Sequence, residues 1–292
     1  MRPAADRRSR AIVALGALAI IWGYNWVVMK VAVHDAPPFQ FAAMRTCGGA
    51  LALCGTALIL RKPLRLQFPL QLFWIGFFQT AGFVGLATWA VTGAGAGHAA
   101  VLAYTMPLWV SLLAWPVLGE RIGVWQGLAM VIAFAGIACM VGPLRAVNPA
   151  TCIAVGAGLS WAIGVVLTKR LQLRAPIDTF SLTTWQMVFG GVVLLIAAVL
   201  VPAHPVTWSG SYIFAVAYNI VLATALAYTL WTFVLSALPA RDAGMGGLAV
   251  PVIGVLASWL QLGEVPTPLS ALGMILIVAG LALLTFADRR TA

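Results

Sequence analysis

The residues that could carry acid–base, nucleophilic or metal chemistry are few and scattered along this chain of 292 residues. It has seven Asp and Glu residues in total, three His and four Cys. The cysteines form no C-x-x-C pair. The sequence also lacks the G-x-S-x-G, H-E-x-x-H and glycine-rich phosphate motifs that position a nucleophile, a zinc ion or a nucleotide. We therefore predict no catalytic residue, no metal site and no cofactor.

Other residues could bind a small molecule without reacting with it. They are aromatic, amide and histidine side chains in long apolar runs, where an amide without a partner is costly. An aromatic ring can pack on an apolar group or hold an ammonium by cation–π attraction. The predicted substrate-binding residues are Trp22, Asn25, Phe78, Gln79, Phe83, His98, Tyr104, Trp161, Asn219 and Tyr228. For each aromatic residue, packing against lipid or another helix is the alternative.

Charged residues and prolines add candidates of another kind. Arg45 is the one strong charge within an apolar run and is a candidate charge contact for a substrate or gate, with snorkelling to the interface as the alternative. Pro107 and Pro251 interrupt helical hydrogen bonding, so we predict hinges or gates there, with static kinks as the alternative. Glu120 and Glu264 lie at the ends of apolar runs, where they are expected to anchor helix ends or loops, with proton coupling as the alternative.

The elements that position these residues must lie in a membrane. Apolar residues make up 62% of the chain and charged residues 8%, against about 45–50% and about 25% in soluble domains. A soluble fold of this size could not bury so much apolar surface. The basic residues that give the net charge of +10 lie mostly in short gaps between apolar runs. They therefore indicate membrane topology, and we expect no nucleic-acid partner.

The apolar runs predict an all-α membrane protein with ten spans of about 20 residues each. The runs are continuous and do not alternate, which excludes β-barrel strands. The predicted spans are 11–30, 39–60, 69–91, 97–118, 123–142, 150–169, 180–200, 211–235, 243–262 and 268–287. They leave a basic N-terminus, 1–10, and a tail, 288–292. The first run is too long for the core of a signal peptide, so we expect it to be retained.

The positions of the basic residues predict the orientation. With the N-terminus in the cytoplasm, fourteen Lys and Arg residues fall in inside segments and only Lys30 and Arg145 fall outside. Positive charges collect on the cytoplasmic side of membrane proteins. Both termini are therefore predicted to be cytoplasmic.

The chain also contains an internal repeat. A shift of 144 residues aligns 107–142 with 251–286, and eleven of 36 positions are identical, including Pro107 with Pro251. We predict two five-helix repeats, 11–142 and 149–287. Because five is odd, the second repeat enters the membrane from the other side and is inverted. Inverted repeats place a substrate site near the midplane, between the two halves.

These duplicated segments resemble the drug/metabolite transporter superfamily, in its ten-helix EamA-type branch. The resemblance rests on Met106-Pro107-Leu108, Leu118-Gly119-Glu120-Arg121, Val250-Pro251-Val252 and Leu262-Gly263-Glu264, together with Trp22-Gly23 and Trp161. It implies a bacterial inner-membrane metabolite carrier, and among such carriers the sequence is most similar to exporters of aromatic and hydrophobic amino acids. The second repeat departs from the pattern, because Val265-Pro266 follows its glutamate instead of a basic residue.

We therefore expect a secondary transporter that exports such amino acids by alternating access, with the bilayer and a small-molecule substrate as its partners. The main alternative is the same fold carrying quaternary ammonium drugs, nucleobases or sugar phosphates. A membrane enzyme or a channel fits less well, because no polar cluster or ring of charges is found. No carboxylate lies deep in a span, which disfavours an acidic proton relay. We expect a monomer, and Gly123-x-x-x-Gly127 leaves a dimer as the alternative.

Overall fold

The computed structural model describes residues 2–142, 147–238 and 247–291, and these form helices joined by short connections. The helices are α1 (Arg2–Asp35), α2 (Pro38–Ile59), α3 (Pro69–Ile75, Gly76–Gly82 and Phe83–Ala94), α4 (Ala96–Ala103 and Met106–Leu118), α5 (Val124–Val141), α6 (Pro149–Arg174), α7 (Thr179–Leu200), α8 (Gly210–Ala217, Tyr218–Leu226 and Ala227–Ala237), α9 (Ala249–Leu262) and α10 (Pro268–Thr291). The described ranges contain no strand. The predicted start of the ninth span, 243–246, lies outside them, as does Arg145.

Most helices begin and end close to the bounds predicted from the apolar runs. Within the described ranges, nine helices are long and apolar enough to cross a membrane, and Ala249–Leu262 is a shorter apolar helix. Four helices begin with a proline at the first position, where the missing N–H costs no helical hydrogen bond. These prolines are Pro38, Pro69, Pro149 and Pro268. The N-terminal segment predicted to precede the first span is instead the beginning of α1.

The structure corrects the prediction that Pro107 kinks a continuous span over 97–118. The helix is interrupted at Tyr104 and Thr105, and the Thr105 hydroxyl donates to the Leu102 carbonyl at 2.6 Å. Pro107 therefore lies in the first turn of the second segment, where proline is tolerated because its missing N–H leaves no bond unmade. Pro251 likewise lies in the first turn of α9.

The packing places α1 at the centre of the bundle. It contacts α2, α3, α4, α8 and α9, while α4 packs against both α6 and α9. The pairs α2–α7 and α5–α10 each form extensive contacts, and α3 packs against α6 and α7. Much of the core is alanine. In a membrane no hydrophobic effect drives helices together, so their association depends on close packing, which small residues such as alanine allow.

Two helices contain π-helical segments near their middles. They are Gly76–Gly82 in α3, which packs against α7, and Tyr218–Leu226 in α8, which packs against α2. A π segment has wider hydrogen-bonded turns than an α-helix and is frequent at functional sites. The extra residue also changes which side chains of the helix share a face.

Contacts between loops define the two ends of the bundle. At one, the Ser181 hydroxyl donates to the Pro63 carbonyl at 3.0 Å, and Lys169 forms an ion pair with Glu120. We name this the basic end, because Arg61, Lys62, Arg65, Arg121, Arg170 and Arg174 also belong to its segments. At the opposite end, the Lys30 ammonium donates to the Val91 carbonyl at 2.7 Å.

Candidate functional site

A buried cation marks the middle of the bundle. The guanidinium of Arg45, on α2, donates to the sulfur of Met29, on α1, at 2.7 Å. It also lies within electrostatic range of the hydroxyl of Tyr228 on α8, which in turn lies within range of the hydroxyl of Tyr104 on α4. Four helices therefore bring polar groups to one region near mid-helix depth.

Aromatic rings surround this region. The rings of Trp22 and Tyr228 meet edge to face at 6.2 Å, and those of Trp26 and Tyr104 do so at 6.4 Å. The indole N–H of Trp22 donates to the Ala223 carbonyl at 3.1 Å, which fixes that ring against α8. Rings in such geometry offer flat apolar surfaces and negative faces to a ligand.

One face of α1 supplies most of these contacts. Trp22, Asn25, Trp26 and Met29 are spaced by three or four residues, so they share a side of the helix. We name the group formed by Trp22, Asn25, Trp26, Met29, Arg45, Tyr104 and Tyr228 the central site. Asn25, Trp26 and Met29 are only 7%, 3% and 3% exposed. Arg45, Tyr104 and Tyr228 are enclosed by protein yet keep part of their surface accessible.

Arg45 forms no ion pair with any of the four carboxylates whose side chains the structure describes. Asp35 accepts from Ser209 and Ser211, Glu120 pairs with Lys169, and Asp178 caps the start of α7. Glu264 accepts from the backbone N–H of Ala96 at 2.8 Å. Each of these four carboxylates is therefore engaged near a helix end, away from mid-helix depth. A buried cation without an anion is costly, and a bound anion would relieve that cost.

Three buried amide oxygens accept no hydrogen bond from the described residues. They are Asn25 Oδ1, Gln186 Oε1 and Asn219 Oδ1, and of these Asn25 belongs to the central site. Asn219 is fully buried, and its Nδ2 donates to the Ala215 carbonyl at 2.9 Å within α8. An unsatisfied buried acceptor is rare and calls for a specific explanation.

Four of the predicted residues belong to α3 and α6 instead, and the side chains of three of them, Gln79, Phe83 and Trp161, meet between these helices. The rings of Phe83 and Trp161 meet at 4.8 Å, and Gln79 accepts a long hydrogen bond, 3.4 Å, from Thr168. Phe78 stacks on Trp74, whose ring is exposed on the outer surface. No charged side chain takes part in any of these contacts among the described residues.

His98 lies towards the opposite end of the bundle. Its Nε2 is 3.2 Å from the Met140 carbonyl on α5, so the ring is directed away from the central site. The two prolines differ in burial, because Pro107 is exposed while Pro251 is buried. Pro107 follows the interruption at Tyr104 and Thr105, and Pro251 lies in the first turn of α9.

The central site includes two residues that the sequence analysis missed, Trp26 and Met29. The signal was the spacing from Trp22 and Asn25 along α1, which puts all four on one side of the helix. An apolar residue such as Met29 gives no other indication of its role, because it looks the same as one that faces lipid.

The two Leu-Gly-Glu turns have the same backbone and different partners. Gly119 and Gly263 both adopt left-handed conformations, with φ of 73° and 67°, which glycine alone adopts freely. The backbone N–H of each following glutamate donates to a carbonyl of the preceding helix at 3.4 Å, Glu120 to Ala114 and Glu264 to Ser258. Glu264, however, accepts from Ala96 and from Ser258, while Glu120 pairs with Lys169 at the surface.

Two surface cavities lie apart from the central site. The larger, about 480 Å³, is at the basic end between Lys62, Arg65 and Asp178. The smaller, about 180 Å³, is a mostly apolar groove lined by Tyr24, Phe214 and Gln261. Arg45 lines neither of these two cavities.

Comparisons with known proteins agree with this architecture. The sequence model of the EamA-like transporter family matches residues 9–142 and 148–286. The chain is 31% identical over 290 residues to "Uncharacterized transporter YoaV" of Bacillus subtilis (strain 168), covering 96% of this chain and 98% of that protein. It is 26% identical over 291 residues to a "Probable amino-acid metabolite efflux pump" of Salmonella typhimurium, covering 94% and 95%. A solved structure with 20% identity superposes with a TM-score of 0.66 over 97% of this chain and 99% of that chain.

Proposed function

Because the chain belongs to the EamA-like transporter family, we propose that it is a secondary transporter that exports aromatic and hydrophobic amino acids by alternating access. The observation that carries this proposal is the central site, where the guanidinium of Arg45 lies among aromatic rings and pairs with none of the carboxylates that the structure describes. The name of the Salmonella relative, an amino-acid metabolite efflux pump, supports the same substrate class.

We further propose ten membrane spans in two inverted repeats, with both termini in the cytoplasm of a bacterial cell and the spans in its inner membrane. Two matches to one family model, each about half the chain, support the duplication. The basic residues gathered at one end of the bundle support the orientation, because that end would face the cytoplasm. The Glu264 turn would then lie on the outer side.

The chemistry of the central site fits an amino acid with a large apolar side chain. Arg45 can donate two hydrogen bonds to a carboxylate, and a fork of this kind is stronger than a neutral hydrogen bond. Trp22, Trp26, Tyr104 and Tyr228 provide apolar walls for the side chain. We assign Phe78, Gln79, Phe83 and Trp161 to packing between α3 and α6, and His98 and Asn219 to packing at the helices that hold them.

We propose that Glu264 holds the outer side closed in this conformation. Its carboxylate accepts from the N–H groups of Ala96 and Gly97 at the start of α4, and a negative charge is favourable at a helix N-terminus. This contact joins the end of α9 to the start of α4. Release of the contact, with bending at the interruption before Pro107 and at the start of α9 near Pro251, would open the site outward.

Reconstitution tests the transport function directly. The purified protein in liposomes preloaded with unlabelled phenylalanine should take up labelled Phe, Trp, Met or Leu by saturable counterflow, and protein-free liposomes should not. Uptake of a quaternary ammonium drug or a nucleobase, with no counterflow of these amino acids, would contradict the proposal. It would favour another substrate for the same fold.

A further inference from the structure

We propose that Asn25 and Arg45 together recognise the two charged ends of one amino acid. In this arrangement Asn25 Oδ1 accepts hydrogen bonds from the α-ammonium while the guanidinium of Arg45 donates to the α-carboxylate. The inference rests on the proposed function for the identity of the substrate class. It adds the requirement that a bound molecule carry both groups.

The state of Asn25 is the first support. Its side chain is 7% exposed, and its Oδ1 is buried without a donor among the described residues. A buried carbonyl oxygen in this state forfeits the hydrogen bonds it would make in water. A ligand that brings N–H donors to this atom would satisfy it. An ammonium group, with three donors and no acceptor, fits this requirement.

The position of Asn25 relative to Arg45 is the second support. Asn25 and Met29 are four residues apart on α1, so their side chains are neighbours about 6 Å apart on one face. Met29 is itself in contact with the guanidinium at 2.7 Å. Asn25 therefore lies one helical turn from the residue that the guanidinium contacts. The ammonium and carboxylate of an amino acid, which share one carbon atom, can bridge such a gap with a hydrogen bond of about 2.9 Å at each end.

The choice of an amide over a carboxylate at position 25 is the third support. A carboxylate this close to Arg45 would pair with it and leave no cation for the substrate. A neutral amide oxygen accepts from an ammonium and does not neutralise the guanidinium. Trp22 and Trp26, which flank Asn25 on the same face, add aromatic surface near the cation that it would hold.

Specificity follows from this arrangement. Removal of either charged group from the ligand leaves a buried protein group without its partner, and a site built on such hydrogen bonds rejects analogues strongly. We therefore expect 3-phenylpropionate, which lacks the ammonium, and 2-phenylethylamine, which lacks the carboxylate, each to bind at least about tenfold more weakly than L-phenylalanine.

Equilibrium binding to the detergent-purified full chain tests this. Labelled L-phenylalanine is bound to the wild type and competed with each unlabelled analogue. In Asn25→Leu we expect the affinity for L-phenylalanine to fall about tenfold, while that for 3-phenylpropionate changes less than about twofold. In Arg45→Gln we expect the converse, with 2-phenylethylamine little affected. Gln71→Leu, at an exposed amide near the start of α3, is the matched control and should leave both affinities unchanged.

The inference is overturned if Asn25→Leu weakens L-phenylalanine and 3-phenylpropionate equally, or leaves both unchanged. It is also overturned if the wild type binds 3-phenylpropionate as tightly as L-phenylalanine, a result that needs no variant and so does not depend on whether one folds. Binding with the expected selectivity but no counterflow would contradict the transport function alone. Counterflow of phenylalanine without this selectivity would contradict the inference alone.

Discussion

The junction between α1 and α8 and the junction between α3 and α6 share an aromatic pair but differ in polarity. In the first, Trp22 meets Tyr228 at 6.2 Å and an interplanar angle of 70°. In the second, Trp161 meets Phe83 at 4.8 Å and 66°. The hydroxyl of Tyr228 interacts electrostatically with Arg45, whereas Phe83 has no hydroxyl group. Similar packing thus supports a polar site at one junction and an apolar contact at the other.

A second difference concerns how closely the helices approach. A shift of 139 residues aligns Trp22 with Trp161 and also Asn25 with Gly164. A Cβ atom on Gly164 would lie 2.3 Å from the Cβ of Gln79, so α6 and α3 touch through backbone where α1 presents the Asn25 side chain. The α3–α6 junction is therefore closed by direct packing. The contrast supports our proposal that the substrate binds at the α1–α8 junction.

Replacement of Arg45 should have the largest effect on binding. Arg45→Gln removes the only charged group of the central site, and we expect the affinity for phenylalanine to fall at least about 30-fold, on the order of 2 kcal/mol or more. Arg65→Gln, at an exposed arginine of the basic end, should bind like the wild type. Equal affinity of the Arg45 and Arg65 variants for phenylalanine would show that the substrate carboxylate does not bind Arg45.

Gly164→Ala should affect stability more than binding. The added methyl group must displace Gln79, whose backbone nitrogen would lie 2.9 Å away. Overpacking of this kind costs about 1–3 kcal/mol, so the midpoint of thermal unfolding in detergent should fall. Gly16→Ala is the control, because nothing lies within 4 Å of its added Cβ. Equal midpoints for the two variants would show that the α3–α6 junction is looser than described.

Substitutions that exchange Tyr and Phe between the two aromatic pairs should change binding less than Arg45→Gln does. Tyr228→Phe removes the hydroxyl near Arg45 without changing the ring, and we expect a loss of about 1 kcal/mol in phenylalanine binding, or roughly fivefold. Phe83→Tyr places a hydroxyl in an apolar contact, so it should lower the unfolding midpoint more than the affinity. An affinity loss at Phe83 that matches the loss at Tyr228 would mean that both junctions line the site.

The sequence predicts the helices well, because long apolar runs and proline at the first helical position are local signals. It also draws attention to Trp22, Arg45, Tyr104 and Tyr228, because their types are conspicuous at mid-helix depth. The structure brings these four residues together, and their role in binding stays a prediction. It does not predict which helix face each residue occupies. Phe78 and Gln79 lie within the π segment Gly76–Gly82, where the wider turn changes the face that a regular helix would present.

The interruption of α4 at Tyr104 and Thr105 is another feature beyond the sequence. The position of Pro107 indicates a disturbance nearby, but a proline is compatible both with a kink inside a helix and with the first turn of a new one. Tertiary packing decides between them. Tertiary packing also leaves Asn25 Oδ1 without a hydrogen-bond donor among the described residues. The sequence does not predict this, because it depends on which groups of the neighbouring helices lie close to that atom.

The two Leu-Gly-Glu turns make a further comparison, with the smallest expected effect. Glu264→Gln keeps one acceptor but loses the charge at the start of α4, a change of about 1 kcal/mol or less. We expect a few-fold faster labelling of a cysteine introduced at the buried residue Ala100 by a membrane-impermeant maleimide added outside. Glu120→Gln removes an exposed ion pair and should leave this rate unchanged. Faster labelling in both variants, or in neither, would contradict the assignment of Glu264 as the outer closure.

A structure of the protein with bound L-phenylalanine tests the central claim most directly. The account predicts a carboxylate within hydrogen-bond distance of the Arg45 guanidinium, an ammonium at Asn25 Oδ1, and a ring against Trp22 and Tyr228. Phenylalanine seated between Trp161 and Phe83, with Arg45 still donating only to Met29, would contradict it.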